Sequence, residues 1–287
     1  MKTFIFIICI LTASGYSAQD NQNQPVDVSQ IKTEADLLDF YRQYSSFTDP
    51  GDYAYMYETL PDSLPELCRL LKSQYIHPYA ELPQYKDQIP KERWNEMSRY
   101  TTVQSQLQGF LSYDSRGFVK DRKPEHRLVL GCRDYAVLLI SIMKYRGIPA
   151  RARYGHATYI IPDFHTSHVI CEVWNETENR WMLVDAYFAM IDFSRDQFDF
   201  SNEAWLKLQE KQIDPGLFGI PGKYSGLISI AAKVMGDLAS LLGSEYSVFQ
   251  YAPMLDYAFK NDYQLSPEHT DLLNRTSELM TSLDAEH

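Results

Sequence analysis

Apolar side chains recur at helical spacing through the first half of the chain. After Thr33, the residues Leu37, Leu38, Tyr41 and Tyr44 share one helical face. After Ser63 and Pro65, the set is Leu67, Leu70, Leu71 and Tyr75. Pro90 suits the first turn of a helix, and Met97, Tyr100, Val103, Leu107, Phe110 and Leu111 carry a stripe beyond it. The run from Cys132 to about Arg146 is different, because it is apolar on almost every side, which predicts a central, buried helix. Gly147 suits its C-terminal cap and Pro149 forbids continuation. The period then changes to that of strands in "ARARYGHATYII", "HVICEVW" and, after "NETENR", "WMLVDA". Beyond Asp192 helical patterns return in "GLISIAAKVMGDLASLLG" and in "SPEHTDLLNRTSELMTSL", with Ser266 as N-cap and Pro267 at the first position. Helices, one central helix, an antiparallel meander and then helices make an α+β pattern, not an alternating βαβ one.

The N-terminus reads as a targeting segment. Lys2 precedes "FIFIICILTA", which is too short to span a bilayer, and Gly15 and Ser17 place small residues at a cleavage site just after Ser17 or Ala18. Cys9 lacks the small residue before it that a lipid-attachment site wants, so plain secretion to the periplasm or beyond is expected. The chain is thereby divided into a signal peptide (1–17), a polar linker (18–33), an N-terminal helical region (34–125), a catalytic core (126–200) and a C-terminal helical extension (201–287). No stable membrane insertion is expected after cleavage. The net charge of -11 over 287 residues argues against nucleic acid as a partner. The cleaved chain keeps Cys68, Cys132 and Cys171; an odd count in an oxidising compartment leaves at least one thiol unpaired.

Cys132 is the cysteine whose position suggests chemistry. At the first turn of a helix, unpaired backbone N–H groups and the helix dipole favour a thiolate. A hairpin turning within "NETENR" would pair Trp174 with Asn179 and, counting outward, His168 with Asp185. Directly opposed residues have Cβ atoms about 5 Å apart on one sheet face, so an imidazole would meet a carboxylate. A thiol, an imidazole and an orienting carboxylate make the nucleophile–base–orienter set of acyl-transfer enzymes, with the Cys132 backbone N–H as an oxyanion donor. Sequence leaves the second donor open, and it leaves His156 and His165 as rival bases. Asp134 reads as a helix cap, Arg151 and Arg153 as a structural ion pair on one strand face, and Trp181 equally as core or site wall. Cys171, three residues from His168, should face away from the site; a bridge between Cys68 and Cys171 stays open. No zinc, EF-hand or glycine-rich phosphate motif appears, so no metal or cofactor is predicted.

These features, "GC…AVLL…GIPAR…G", a His-led strand and "RWMLVDA" in order, resemble the transglutaminase-like superfamily. The chain is most similar to a bacterial subgroup through "CRDYAVLL", "GIPARARYGHATY", "VDA" and "EAWLKLQEKQIDPGLFGI", with weaker similarity in "YIHPYAELPQY" and "KVMGDLASL". The resemblance implies Cys132 as nucleophile, His168 as base and Asp185 as orienting acid. It also implies a papain-like core with the Cys132 helix packed on an antiparallel sheet. Many members carry a bulky aromatic after the histidine, whereas this chain has Val169, which changes the shape of the neighbouring pocket. The expected activity is attack on a peptide or protein amide through a thioester, ending in hydrolysis. Amine transfer (crosslinking) and a non-catalytic binding module are the alternatives.

Overall fold

The computed structural model describes residues 31–247 and 252–285, so the expected leader, Cys9 and nearly all of the linker lie outside the described residues. Helix α1 (Glu34–Arg42) starts at Thr33, whose hydroxyl accepts the Asp36 N–H while Asp36 accepts the Thr33 N–H. It ends before Tyr44, which is exposed. Helix α2 (Leu64–Lys72) stops short of Tyr75, which instead enters strand β1 (Tyr75–Ile76). A single turn, α3 (Leu82–Tyr85), follows. The stripe from Pro90 is helical only in its second half. Two 3-10 turns occupy Lys91–Arg93 and Glu96–Ser98, and helix α4 (Val103–Tyr113) begins afresh where Thr102 caps Ser105 N–H at 3.2 Å. Strand β2 (Leu128–Val129) then pairs in parallel with β1 and leads into helix α5 (Cys132–Tyr145).

Every residue of α5 from Arg133 to Lys144 is buried, as its all-round apolarity requires. Gly147 follows it at φ +73, a conformation that suits glycine. Strands β3 (Ala150–Ile161), β4 (Phe164–Asn175) and β5 (Arg180–Asp185) form the antiparallel meander. The short strands β6 (Met190–Ile191) and β7 (Phe198–Phe200) complete the order β6-β5-β4-β3-β7. After helix α6 (Ser201–Gln209), β8 (Phe218–Ile220) pairs in parallel with β4 and is itself paired by β9 (Tyr224–Ser225). Helices α7 (Leu227–Leu241), α8 (Pro253–Lys260) and α9 (Pro267–Ala285) close the described chain. None of the described helices is long and apolar enough to cross a membrane.

Two large cores among the described residues flank the sheet. Ala150, Ala152, Val169, Cys171, Val173 and Val184 pack with α5, which is backed by Leu67, Leu71, Leu107 and Phe110 from the N-terminal helices. Truncating one such side chain, as in Leu138→Ala, costs about 2–5 kcal/mol. A second core joins α1, α6, α7, α8 and α9 through Tyr41, Trp205, Ile230, Leu238, Leu255 and Met280. Arg153 on β3 ties that layer to the sheet. Its guanidinium bonds Glu172 of β4 at 3.2 Å, Asp237 of α7 at 3.1 Å and Asp284 of α9 at 2.8 Å. Arg151 bonds Glu172 at 2.5 Å, so both arginines are structural, as expected.

Candidate active site

The hairpin between β4 and β5 brings the expected groups together by a different register. Asn175 pairs with Arg180, Trp174 with Trp181 and Cys171 with Val184, rather than Trp174 with Asn179. Asn175 stays in the strand, and its side-chain oxygen accepts the N–H groups of Thr177 and Glu178 at 3.1 and 3.2 Å. Asn179 closes the loop at φ +52. Continuing this register puts Asp185 opposite Ile170, diagonal to His168. The slip is two residues, and because side chains alternate with period two, the sheet face is preserved. His168 Nε2 therefore still reaches Asp185 Oδ2 at 2.7 Å, with both side chains buried.

Asp185 is the most heavily bonded carboxylate of the site. Oδ2 also accepts the Tyr159 hydroxyl at 2.5 Å. Oδ1 accepts the backbone N–H groups of Tyr187 at 2.8 Å and Phe188 at 3.0 Å, an Asx-type turn that fixes the carboxylate at the end of its strand. Burial alone would raise its pKa, but the His168 charge and these donors hold it below the ordinary carboxylate value. Gly155 lies opposite His168 across β3, where an added Cβ would sit 2.2 Å from the Asp199 carbonyl. Only glycine lets β7 approach the histidine's neighbour so closely.

Cys132 is the first residue of α5 and is half-buried. Its backbone N–H, like that of any first-turn residue, has no intrahelical acceptor. Asp134, three residues beyond Gly131, accepts the Gly131 N–H at 3.0 Å and so caps the helix as expected. Two imidazoles, His168 and His77, stand close enough to the Cys132 sulfur to stabilise its thiolate by hydrogen bonding. Since Nε2 of His168 is committed to Asp185, Nδ1 is the nitrogen that faces the thiol. Burial pushes the Cys132 thiol up. The His168 charge and hydrogen bond, then the His77 hydrogen bond and the Lys233 charge, outweigh burial and hold it well below the usual thiol value. Burial likewise pulls His168 down, yet Asp185 and Cys132 raise it to about 10. Both shifts favour the thiolate–imidazolium form of the pair.

The rival histidines stand elsewhere. His165 bonds Asp199 at 2.5 Å and stacks on Phe218 with ring centroids 4.1 Å apart. His156 is buried with its edge to the same Phe218, and burial lowers its basicity. Trp181 packs against Tyr41, Trp174 and Arg151, so it belongs to the core. Cys171 faces the other side of β4 from His168, and its thiol reaches the Ala136 carbonyl of α5 at 3.5 Å. Cys68, Cys132 and Cys171 are all free. Among the described residues no cluster of three or more His, Cys, Asp or Glu side chains could hold a metal ion.

Sequence reasoning missed Tyr159 and His77. A register shift between Ala157 and Ile161 defeats a simple alternation count from His168 to Tyr159. His77 follows a two-residue strand that no periodicity reveals. Phe188 and Tyr187 complete the surroundings. Their rings lie 4.6 Å apart, and Phe188, partly exposed, stands 6.1 Å from the His168 ring.

Comparison with known families gives one match. Residues 84–186 match the family model described as the transglutaminase-like superfamily, a segment that contains Cys132, His168 and Asp185. No curated protein and no solved structure matches the chain.

Proposed function

We propose that this chain, which carries a transglutaminase-like superfamily domain, is a secreted, cysteine-dependent acyl-transfer enzyme that hydrolyses a peptide or protein amide. The observation that carries the reading is the unbroken line from the Cys132 sulfur through the His168 ring to the buried, four-times-bonded Asp185. A purely structural thiol needs neither a helix N-terminus nor an imidazolium. In the proposed reaction the Cys132 thiolate attacks the amide carbon, the C–S bond forms, and the carbonyl π electrons move to oxygen. When that intermediate collapses, the C–N bond breaks and the His168 Nδ1 proton goes to the leaving amine. Water, deprotonated by the same nitrogen, then attacks the thioester. The C–S bond breaks, and the acid leaves with the thiolate restored. Asp185 holds the tautomer and stabilises the imidazolium without taking the proton.

Hydrolysis is preferred to amine transfer because water is the abundant acceptor at any thioester it can reach. An amine must outcompete that water, which takes a site that binds it and excludes solvent. The papain-like arrangement, with α5 as the nucleophile helix on the meander, belongs to the same proposal, as do the signal peptide and export. The test is to incubate the protein with a mixture of glutamine-containing peptides and a labelled primary amine. Acylation releases one ammonia in either case, so new carboxylates that vanish in Cys132→Ala support hydrolysis. Cys132-dependent amine incorporation that outpaces the new carboxylates overturns it in favour of crosslinking. Failure of both, with Cys132 no more reactive than a free thiol, leaves a binding module.

A further inference from the structure

His77 is held as a one-ended donor. It follows β1, and the parallel register of Tyr75 with Leu128 and Ile76 with Val129 brings it level with Leu130, two residues before Cys132. The Leu130 N–H bonds the Ile76 carbonyl at 3.2 Å, so both strands deliver their next residues to one spot. The turn after His77 consumes its other polar groups. Its N–H donates to Glu81 Oε2 at 2.8 Å, and its carbonyl accepts the N–H groups of Glu81 and Leu82 at 2.9 and 3.0 Å. Its ring Nδ1 accepts from the Tyr79 and Ala80 N–H groups at 3.3 and 3.2 Å. An imidazole nitrogen that accepts two N–H groups carries no proton, so in the neutral ring the proton is on Nε2. The Tyr187 ring, with its centroid 5.2 Å away, packs against that imidazole.

We propose that His77 Nε2–H, together with the Cys132 backbone N–H, forms the oxyanion hole of the acyl-transfer site. The inference rests on the reading of Cys132 as nucleophile. In the resting state the Nε2–H spends its bond on the sulfur. As the thiolate attacks, negative charge passes from sulfur to the carbonyl oxygen, and a donor already fixed by five hydrogen bonds and the Tyr187 ring is left facing it. A preorganised donor of this kind acts on the transition state rather than on the ground state. His77 lies outside the matched segment 84–186, so the N-terminal region supplies a group that the matched segment does not contain.

The test separates oxyanion stabilisation from simple thiolate activation. Acylation by p-nitrophenyl acetate passes through a tetrahedral oxyanion, whereas alkylation by iodoacetamide does not. Both rates are measured on the full chain at pH 8.5 for wild type, His77→Ala, His77→Gln and Cys132→Ala. The expected result is that His77→Ala loses roughly 10²–10³ in acylation, the cost of one oxyanion donor. Its alkylation should stay within about threefold of wild type, which also reports that the site is folded. His77→Gln, which keeps an N–H donor, should recover part of the loss. Equal losses in both reactions make His77 a thiolate-activating residue and overturn the inference, as does undiminished acylation in His77→Ala. If wild-type Cys132 reacts with neither probe faster than a free thiol, the proposed function itself fails, and His77 falls with it.

Discussion

Strand β4 carries two clusters of buried charge on the same face, four residues apart, and they are built for opposite ends. At Glu172 the charges close on one another. Every guanidinium nitrogen of Arg153 bonds a carboxylate, and Glu172 is pulled down to about 2 because Arg151 and Arg153 overcome the burial that would raise it. At His168 the line of charge does not close. It runs from Asp185 through the imidazolium to the sulfur of a partly buried cysteine at a helix end. The first cluster fixes α7 and α9 to the sheet; the second holds a charge that can leave the network by bonding carbon. The contrast separates structural from chemical charge on geometry: what matters is whether every charged group is locked against an opposite charge or one of them, the Cys132 sulfur, sits at a partly open helix end held only by imidazole donors.

Breaking the open line should cost most. Cys132→Ala and His168→Ala should each abolish acyl-enzyme formation, a loss on the order of 10⁶ in turnover, as for the nucleophile or base of comparable triads. Trapped acyl-enzyme measured by mass spectrometry checks this. Full activity in His168→Ala would remove His168 from the reaction and sink its assignment as the base. Asp185→Asn should be milder, a loss of roughly 10⁴, because the asparagine still touches the ring but cannot stabilise the imidazolium.

The closed cluster should answer in stability rather than in rate. Arg153→Ala leaves Glu172, Asp237 and Asp284 beside one another without their shared cation. Removing one partner of a buried ion group costs about 3–5 kcal/mol, readable as a lowered urea midpoint. Cys132→Ala, a small truncation at a partly buried position, should lower the midpoint far less. If the two variants were equally destabilised, the division between structural and chemical charge would not hold.

Sequence patterning reached the parts of this arrangement that long, regular elements carry. The all-round apolar run is α5, the strand stretch "ARARYGHATYII" is β3 from end to end, and both C-terminal helical patterns are helices. The juxtaposition of His168 and Asp185 was legible because alternation survives a two-residue register error; a one-residue error would have put them on opposite faces. Short elements were not legible. Two residues at Tyr75–Ile76 carry no period, yet their pairing with Leu128–Val129 is what delivers His77 to Cys132. Nor could composition distinguish the stripe before Val103, where Thr102 starts a new helix, from the stripe after it.

The smallest effect is the most discriminating, because its sign is fixed by the hydrogen bonds. The site works where Cys132 is ionised and His168 protonated. The thiolate is present from well below the usual thiol value, and the imidazolium persists until pH rises through about 10. Leaving-group protonation should therefore fade on that upper limb. The Tyr159 hydroxyl shares Asp185 Oδ2 with His168 and draws off part of the carboxylate's charge. In Tyr159→Phe, Asp185 keeps the ring and the Tyr187 and Phe188 N–H groups but loses one donor. The undiluted carboxylate should then hold the imidazolium proton more tightly, so the upper limb moves to higher pH. A more tightly held proton is a poorer gift to the leaving amine. Turnover at neutral pH should fall by up to about fivefold, the worth of roughly 1 kcal/mol for one hydrogen bond. A pH–rate profile of wild type and Tyr159→Phe reads both changes. A limb that moved down instead would mean that Tyr159 serves chiefly to keep Asp185 ionised, with the His168 interaction weakened by its loss.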